Sequence, residues 1–284
     1  MKYLVTGSSG FVGRHVLKRL EKGQVEFATF SHSDDLGLLP NCDVVLHLAG
    51  LAHEPKIKDR DDLFKVYNDA NCKYPLEVAK HSYEKGMKRF VFVSTVGVYG
   101  KRSAKAPITE STPKIPSEAY GVSKLSAEKK LKELSEALGF ELVIVRPALV
   151  YGDGAPGNVR LLKKLVNLLP VIPIGTKSNN RSFVSVHNLV EFLVLASEHP
   201  KASGEVFNLA DDIPLSTYEF IKRIGVEVGK TPLVFSPPRM FWRILLTSVN
   251  QKKLYEQLFE DLVIDSTKAR SLLNWKAKTC FGEG

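Results

Sequence analysis

Lys2-Tyr-Leu-Val-Thr6-Gly7-Ser-Ser9-Gly10-Phe11-Val12-Gly13 holds a strand, a turn and the start of a helix. Residues 2–6 are mostly apolar or β-branched, which predicts a buried strand of a parallel sheet. From His15 to Lys22, Val16, Leu17 and Leu20 recur at helical spacing, so a helix is predicted over 11–22. Gly7, Gly10 and Gly13 lie between. Three glycines alone are a weak signal, because glycine also serves ordinary turns. Directly after a strand and at the mouth of a helix, they let backbone approach a pyrophosphate. The helix N-terminus then offers free N–H groups and its positive dipole end. This junction predicts a dinucleotide site lined by Gly7, Ser9, Gly10, Phe11, Val12 and Gly13.

The second informative stretch is Tyr120-Gly-Val-Ser-Lys124, which lies 25 residues after Thr95. A helix predicted over 118–138 places Tyr120 and Lys124 one turn apart on one face. An ammonium beside the phenol would stabilise phenolate and lower a pKa that is ordinarily near 10. Alone, such a pair is common on helix surfaces. Together with the glycine turn it predicts proton transfer beside a dinucleotide, with Tyr120 as acid/base.

Strand signals at 2–6, 25–30, 43–48, 89–94, 141–146 and 205–209 alternate with helix signals. The helices are predicted near 11–22, 61–84, 118–138, 156–168, 187–197 and 216–228. Alternation of this kind predicts a parallel sheet covered by helices on both faces. Beyond Tyr151, prolines at 156, 170, 173, 214, 232, 237 and 238 cut the chain into short pieces, which suits a small second lobe. The 284 residues, 44% hydrophobic, suffice for a substantial core. No long apolar run or signal-peptide pattern is present, so a soluble cytoplasmic protein without membrane insertion is expected. Cys42, Cys72 and Cys280 are widely spaced and suit reduced thiols, and no metal-ligand spacing occurs. The net charge of +9 is read as solvated helix faces, such as Lys129, Lys130 and Lys132, or Lys252 and Lys253. It supplies a modest field for an anionic ligand. No nucleic-acid-binding module accompanies it, so nucleic acid is not expected as a partner.

These motifs resemble the extended short-chain dehydrogenase/reductases, the nucleotide-sugar epimerase/dehydratase family. Thr6, Gly7, Gly10 and Gly13 match its glycine turn, and His47-Leu48-Ala49-Gly50 its next strand end. Thr95 with Tyr99-Gly100, and Tyr120 with Lys124, match its catalytic segment. Arg146-Pro147, Tyr151-Gly152 and Arg181 to Leu189 match later markers. The resemblance implies a Rossmann-type doubly wound parallel sheet over 1–152, with later contributions near 181–210. A small C-terminal substrate-binding lobe would comprise 153–180 and 211–284. A third strand usual in the family is expected to be reduced or missing between Ser31 and Asn41. The final residues, Lys276 to Gly284, stop where relatives usually carry another helix, which implies a trimmed lobe or a shortened chain.

By the same resemblance, Thr95 anchors the reacting sugar oxygen, Tyr120 moves the proton and Lys124 binds the nicotinamide ribose. Ser94 adjoins Thr95 and is a candidate to share its role. Leu48, Ala49, Gly50, Ser31 and Ser94 join the cofactor site. An asparagine before the catalytic strand also joins the cofactor site; it is either Asn68 or Asn71, and the 24-residue gap to Thr95 favours Asn71. Arg181 is the candidate for the substrate diphosphate, because a guanidinium fork matches phosphate oxygens. Asn158 is a further substrate contact, and Arg239 and Arg243 are open alternatives for a second diphosphate contact. At His187 relatives often carry Asp, and no role is assigned to it. No carboxylate is in register after the second strand, where Phe30-Ser31-His32-Ser33 stands ahead of Asp34 and Asp35. NAD is expected from the family, with NADP as the alternative through Ser31, His32 and Arg14.

The C-terminal half, from Leu169 to Gly175 and from Val263 to Trp275, resembles a bacterial subgroup acting on UDP-N-acetylhexosamines for surface polysaccharide. Thr95-Val-Gly replaces the dehydratase signature, so 4-epimerisation of a UDP-sugar is expected rather than dehydration. Reduction of a UDP-4-keto-6-deoxy-hexosamine is the alternative within the family. A non-catalytic dinucleotide-sensing regulator and a reductase of non-sugar carbonyls are the rivals from other classes. Family habit implies a homodimer.

Overall fold

The structure is a computed structural model that describes residues 1–52, 57 and 59–278. Strand β1 (Tyr3–Thr6) leads through the glycine turn into helix α1 (Phe11–Lys22), followed by β2 (Phe27–Phe30) and β3 (Val44–His47). Then come α2 (Arg60–Asn68), α3 (Tyr74–Glu84), β4 (Arg89–Val93), α4 (Ala119–Leu138) and β5 (Glu141–Pro147). The second half holds β6 (Leu149–Tyr151), α5 (Gly157–Leu168), β7 (Val171–Ile172), β8 (Phe183–Ser185), α6 (Val186–Glu198) and β9 (Val206–Leu209). It ends with α7 (Thr217–Glu227), β10 (Leu233–Val234), α8 (Arg239–Ser248), α9 (Lys252–Phe259) and α10 (Thr267–Leu273).

Six strands form one parallel sheet in the order β2-β1-β3-β4-β5-β9. Alternate residues of each strand supply opposite faces. Tyr3, Val5, Leu46, Val91 and Val143 pack with Val16 of α1 and Leu189 and Phe192 of α6. Leu4, Val45, Phe90, Phe92 and Ile144 pack with Val78 of α3 and Ala127 and Leu131 of α4. Burial of each such side chain contributes roughly 1.5–3 kcal/mol, which is why these near-continuous apolar strands take the centre.

The chain leaves β1 toward β2 on one side and β3 on the other. That reversal opens a crevice at the carboxyl ends of β1 and β3, where the glycine turn sits. Between Ser31 and Asn41 there is no strand, only a short turn of helix, Leu36–Leu38, capped by Asp35. The predicted single helix over 61–84 is instead two helices joined by a π turn, Asp69–Lys73. There the N–H of Tyr74 reaches back to the carbonyl of Asp69. Pro75, at the start of α3, has no N–H to continue an unbroken ladder.

A separate apolar cluster joins β6, β7, β8 and β10 to α5 and α7, around Val159, Ile172, Phe183, Phe220 and Ile224. Four two- or three-residue strands build this part, in the pairs β6–β8 and β7–β10.

Candidate active site

The glycine turn is shaped by contacts that admit no larger residue. Gly7 lies at φ +72°, and a Cβ there would sit 2.6 Å from the amide nitrogen of Ala49. A Cβ on Gly13 would meet the Gly7 carbonyl at 2.2 Å. Helix α1 starts at Gly10 with no side-chain cap and no acid in its first turn. The N–H groups of Phe11, Val12 and Gly13 therefore keep the free, positive helix end that suits a pyrophosphate. Thr6 and His47 pin the crevice from below, with Oγ1 and Nδ1 at 3.0 Å, while the Ala49 amide donates to Thr6 at 3.4 Å. His47 is fully buried, and burial, with Lys124 nearby, holds it well below the usual imidazole range.

At the tip of β2 the carboxylate of Asp34 folds back to accept the N–H of Ser31 at 2.7 Å. Sequence register hid this acid. A carboxylate there suits ribose hydroxyls and repels a 2′-phosphate. Arg14, a candidate 2′-phosphate ligand, donates instead to the Ser9 carbonyl at 2.6 Å. The ring of His32 lies 4.5 Å from that of Tyr74. The residues fit NAD.

The π turn places Asn71, and not Asn68, in the interior. Asn71 is fully buried and clamps Leu51 through both backbone groups, accepting from its N–H at 2.7 Å and donating to its carbonyl at 3.0 Å. It also donates to Ser123 at 3.1 Å, and Ser123 donates to the Tyr120 carbonyl at 2.9 Å. One asparagine thus ties the segment after Gly50 to the helix that carries Tyr120. Gly50 is required here, since a Cβ would come within 2.9 Å of Asn71 Oδ1 and 3.1 Å of Lys124 Nζ.

Thr95 follows β4 in extended conformation, and its hydroxyl accepts the N–H of Gly97 at 3.0 Å. Gly121 lets α4 approach this turn, because a Cβ there would lie 2.7 Å from the Gly97 carbonyl. Tyr120 is thereby held beside Thr95. Burial pushes the Tyr120 hydroxyl up to about 12, and the Thr95 hydroxyl opposes that rise. Lys124 donates to the Val93 carbonyl at 2.9 Å and stands 4.6 Å above the Phe92 ring. Burial lowers its ammonium to about 8, with Glu128 opposing. The expectation that Lys124 depresses the tyrosine pKa is therefore corrected for the ligand-free protein. Desolvation outweighs the pair and shifts each group toward its neutral form.

Ser94 is not free to share the role of Thr95. Its hydroxyl donates to Glu128 at 2.5 Å. Glu128 also holds Arg146 in a buried two-pronged ion pair at 2.9 and 2.5 Å. Arg146 donates to the Tyr99 hydroxyl at 2.8 Å, which donates to Asn208 at 2.7 Å. Glu128 and Ser123 escaped the sequence reading. Spacing could have found Glu128, four residues past Lys124 on the same helix face.

Arg181 departs from expectation as well. Its Nη1 donates to three backbone carbonyls, of Arg102 at 3.3 Å, Glu256 at 3.2 Å and Glu260 at 2.7 Å. It braces three chain segments, and its burial lowers its pKa to about 10. Arg239 is the contrasting case: Nε donates to Thr176 at 3.4 Å, while a second nitrogen is buried without a partner. It lines a cavity of about 510 Å³ with Thr176, Lys177, Tyr218 and Phe235. Arg243 is exposed, as is Asn158 at the start of α5, and His187 rests edge-on against His15. Cys42 and Cys72 are buried thiols, and Cys280 lies outside the described residues.

Glycine turn, buried asparagine and Thr–Tyr–Lys cluster together define a dinucleotide-dependent enzyme of the short-chain dehydrogenase type. Residues 3–210 match the NAD dependent epimerase/dehydratase family, and the chain belongs to it. It is 31% identical to a UDP-glucose 4-epimerase of Vibrio cholerae over 99% of this chain and 92% of that protein. It is 29% identical to the N-acetyl-alpha-D-glucosaminyl-diphospho-ditrans,octacis-undecaprenol 4-epimerase of Escherichia coli O157:H7, over 80% of this chain and 72% of that protein. Among solved structures it resembles the UDP-glucuronic acid 4-epimerase of Bacillus cereus in complex with NAD. The TM-score is 0.77 at 23% identity, covering 100% of this chain and 96% of that one. The protein is thus an NAD-dependent enzyme of the short-chain dehydrogenase epimerase type.

Proposed function

We propose that the protein epimerises a UDP-linked hexose or N-acetylhexosamine at carbon 4, in the making of surface polysaccharide. The observation that carries this is Tyr120 held beside Thr95 at the carboxyl end of β4, with Lys124 buried one turn on. Bound NAD supplies the hydride acceptor and donor. Gly7, Ser9, Gly10, Phe11, Val12 and Gly13 hold its pyrophosphate, and Ser31 with Asp34 its adenosine ribose. Leu48, Ala49 and Gly50 line its path across the crevice. Asn71 acts as a positioning residue, since it fixes both that segment and α4. Thr95 orients the carbon-4 oxygen, and the Tyr120 hydroxyl takes up and returns its proton. Lys124, already close to losing its own proton, sets the charge beside the nicotinamide ribose.

The lobe that receives the nucleotide comprises residues 153–180 and 211–259, narrower than the 211–284 expected from sequence, because α10 and Trp275 pack with Phe192 and Leu209 on the main sheet. Arg239 is the guanidinium that best suits its diphosphate, because one of its buried nitrogens has no partner. Asn158 lies at the edge of this lobe.

The test is interconversion of UDP-glucose with UDP-galactose, and of their N-acetylamino counterparts, followed by NMR. Tyr120→Phe is expected to lower turnover about 10²- to 10⁴-fold while NAD binding persists. Full turnover in that variant sinks the reading. Consumption of exactly one cofactor equivalent per product would instead identify a reductase.

A further inference from the structure

The C-terminal lobe turns a core-like pattern outward. Strands β7 and β10 pair with Leu233 opposite Val171. Ile172 and Val234 point into the lobe, whereas Val171 and Leu233 face solvent, the latter 64% exposed. Leu169 and Phe235, two residues along each strand, continue the exposed side. Helix α8 follows at once, and the indole N–H of Trp242 donates to the Pro173 carbonyl at 3.1 Å, joining it to the end of β7. Trp242 and Leu246 pack on Tyr255 and Phe259 of α9. The rest of the helix presents Met240, Phe241, Ile244 and Leu245 to water, with Phe241 54% and Ile244 64% exposed. At helical spacing these four fall within one arc of the surface. Single exposed apolar residues are ordinary, but a sheet face and an adjoining helix face together are not.

The charge is distributed to match. Residues 154–190 carry five Lys or Arg and no Asp or Glu, and residues 228–255 do the same. The whole chain has a net charge of +9, so these two segments account for all of it and the remainder is slightly acidic. They include the strands and the helix that build the apolar face. Lys163 is paired with Glu227, the Arg181 guanidinium is taken up by backbone carbonyls and Arg239 lines the cavity, but Lys252 and Lys253 stay 75% and 73% exposed although each lies within 4 Å of a glutamate.

We propose that this face, the outer side of β7–β10 with α8, docks peripherally on an anionic phospholipid bilayer. Its apolar side chains would enter to headgroup depth and its lysines and arginines would meet lipid phosphates. A second copy of the chain is a poorer occupant, because a two-fold contact would set this positive field against itself. Nothing needs to cross the bilayer, and among the described residues no helix is long and apolar enough to do so.

Co-sedimentation of the full chain with vesicles tests this, comparing phosphatidylcholine alone with a two-to-one mixture of phosphatidylcholine and phosphatidylglycerol. Binding is expected only to the mixture, and it should weaken as salt rises. The double variant Phe241→Asp/Ile244→Asp should bind at least about tenfold more weakly. Lys252→Gln and Lys253→Gln should each cost about fivefold. All these positions are exposed, so the thermal midpoint should hold, and turnover of a soluble UDP-sugar should not change. The docking proposal can therefore fail while the epimerase reading stands, and the reverse. Equal binding to both vesicles, binding to neither, or undiminished binding of the double variant overturns it. A dimer in the parent chain that Phe241→Asp/Ile244→Asp splits would give the face to a second copy and overturn it too.

Discussion

Lys124 is where the ligand-free protein differs most from the motif's simple reading. Burial brings its pKa from 10.5 to about 8, which sets a sign for stability. Below pH 8 both folded and unfolded chains hold this proton, and the folded state bears the full cost of burying it. Between pH 8 and 10.5 only the unfolded chain still holds it, so stability rises with pH. The cost released is about 3 kcal/mol. Tyr120 runs the other way. Raised to about 12, it adds stability below pH 10 that is lost as pH climbs from 10 to 12. Lys124→Met removes the first effect and leaves the second. We expect the variant to exceed its parent in stability at pH 7 by up to about 3 kcal/mol, with the gap closing by pH 10.5. Urea unfolding across that range checks it, and a gap independent of pH contradicts the account. Tyr120, Lys124 and the glycine turn were legible because the chemistry fixes residue type and spacing together. Burial was not, and burial decides which proton each group holds.

At the scale of elements, α4 does two jobs with one face. Its first turns present Tyr120 and Lys124 to the crevice, and one turn further Glu128 meets Arg146 of β5 and Ser94 beyond β4. Burial works against the Arg146 charge, and Glu128 more than restores it. Glu128→Gln strands a buried guanidinium and should cost about 3–5 kcal/mol in thermal or denaturant unfolding. Replacing both partners with leucine should cost less, and a double-variant cycle measures the difference. If Glu128→Gln unfolds like its parent, the pair contributes nothing to holding α4 on the sheet. The six long-range strands were readable from their apolar runs, and the helices from their periodicity. The π turn was not, because Asp69–Lys73 keeps helical composition and only the position of Pro75 hints at a break. Strands β6, β7, β8 and β10 span two or three residues each, too few for any period to register.

At the scale of the whole molecule, Arg181 and Arg239, both read from sequence as candidates for the substrate diphosphate, stand in different surroundings. Arg181 stands in a motif that resemblance links to the substrate diphosphate, yet its Nη1 serves three carbonyls from segments far apart in the chain. The backbone of the same residue pairs with Leu215, and the next N–H donates to Leu262. It therefore fastens the returning C-terminal chain across the lobe. Spacing cannot reveal this, because the acceptors are carbonyls that any residue supplies. Arg239 lies in a proline-flanked stretch with no motif, and only the folded chain shows its unpaired buried nitrogen beside the cavity. Arg181→Gln should lower stability by about 2–4 kcal/mol, since hydrogen bonds from a charged donor are lost together. UDP affinity, measured by calorimetry on folded protein, should fall less than about threefold. Arg239→Gln should invert the pattern, leaving the thermal midpoint within about 1 °C and weakening UDP about tenfold or more. If Arg181→Gln instead abolishes UDP binding at unchanged stability, the guanidinium leaves its carbonyls for the phosphate when ligand arrives. The lobe would then be braced by its substrate rather than by its own chain.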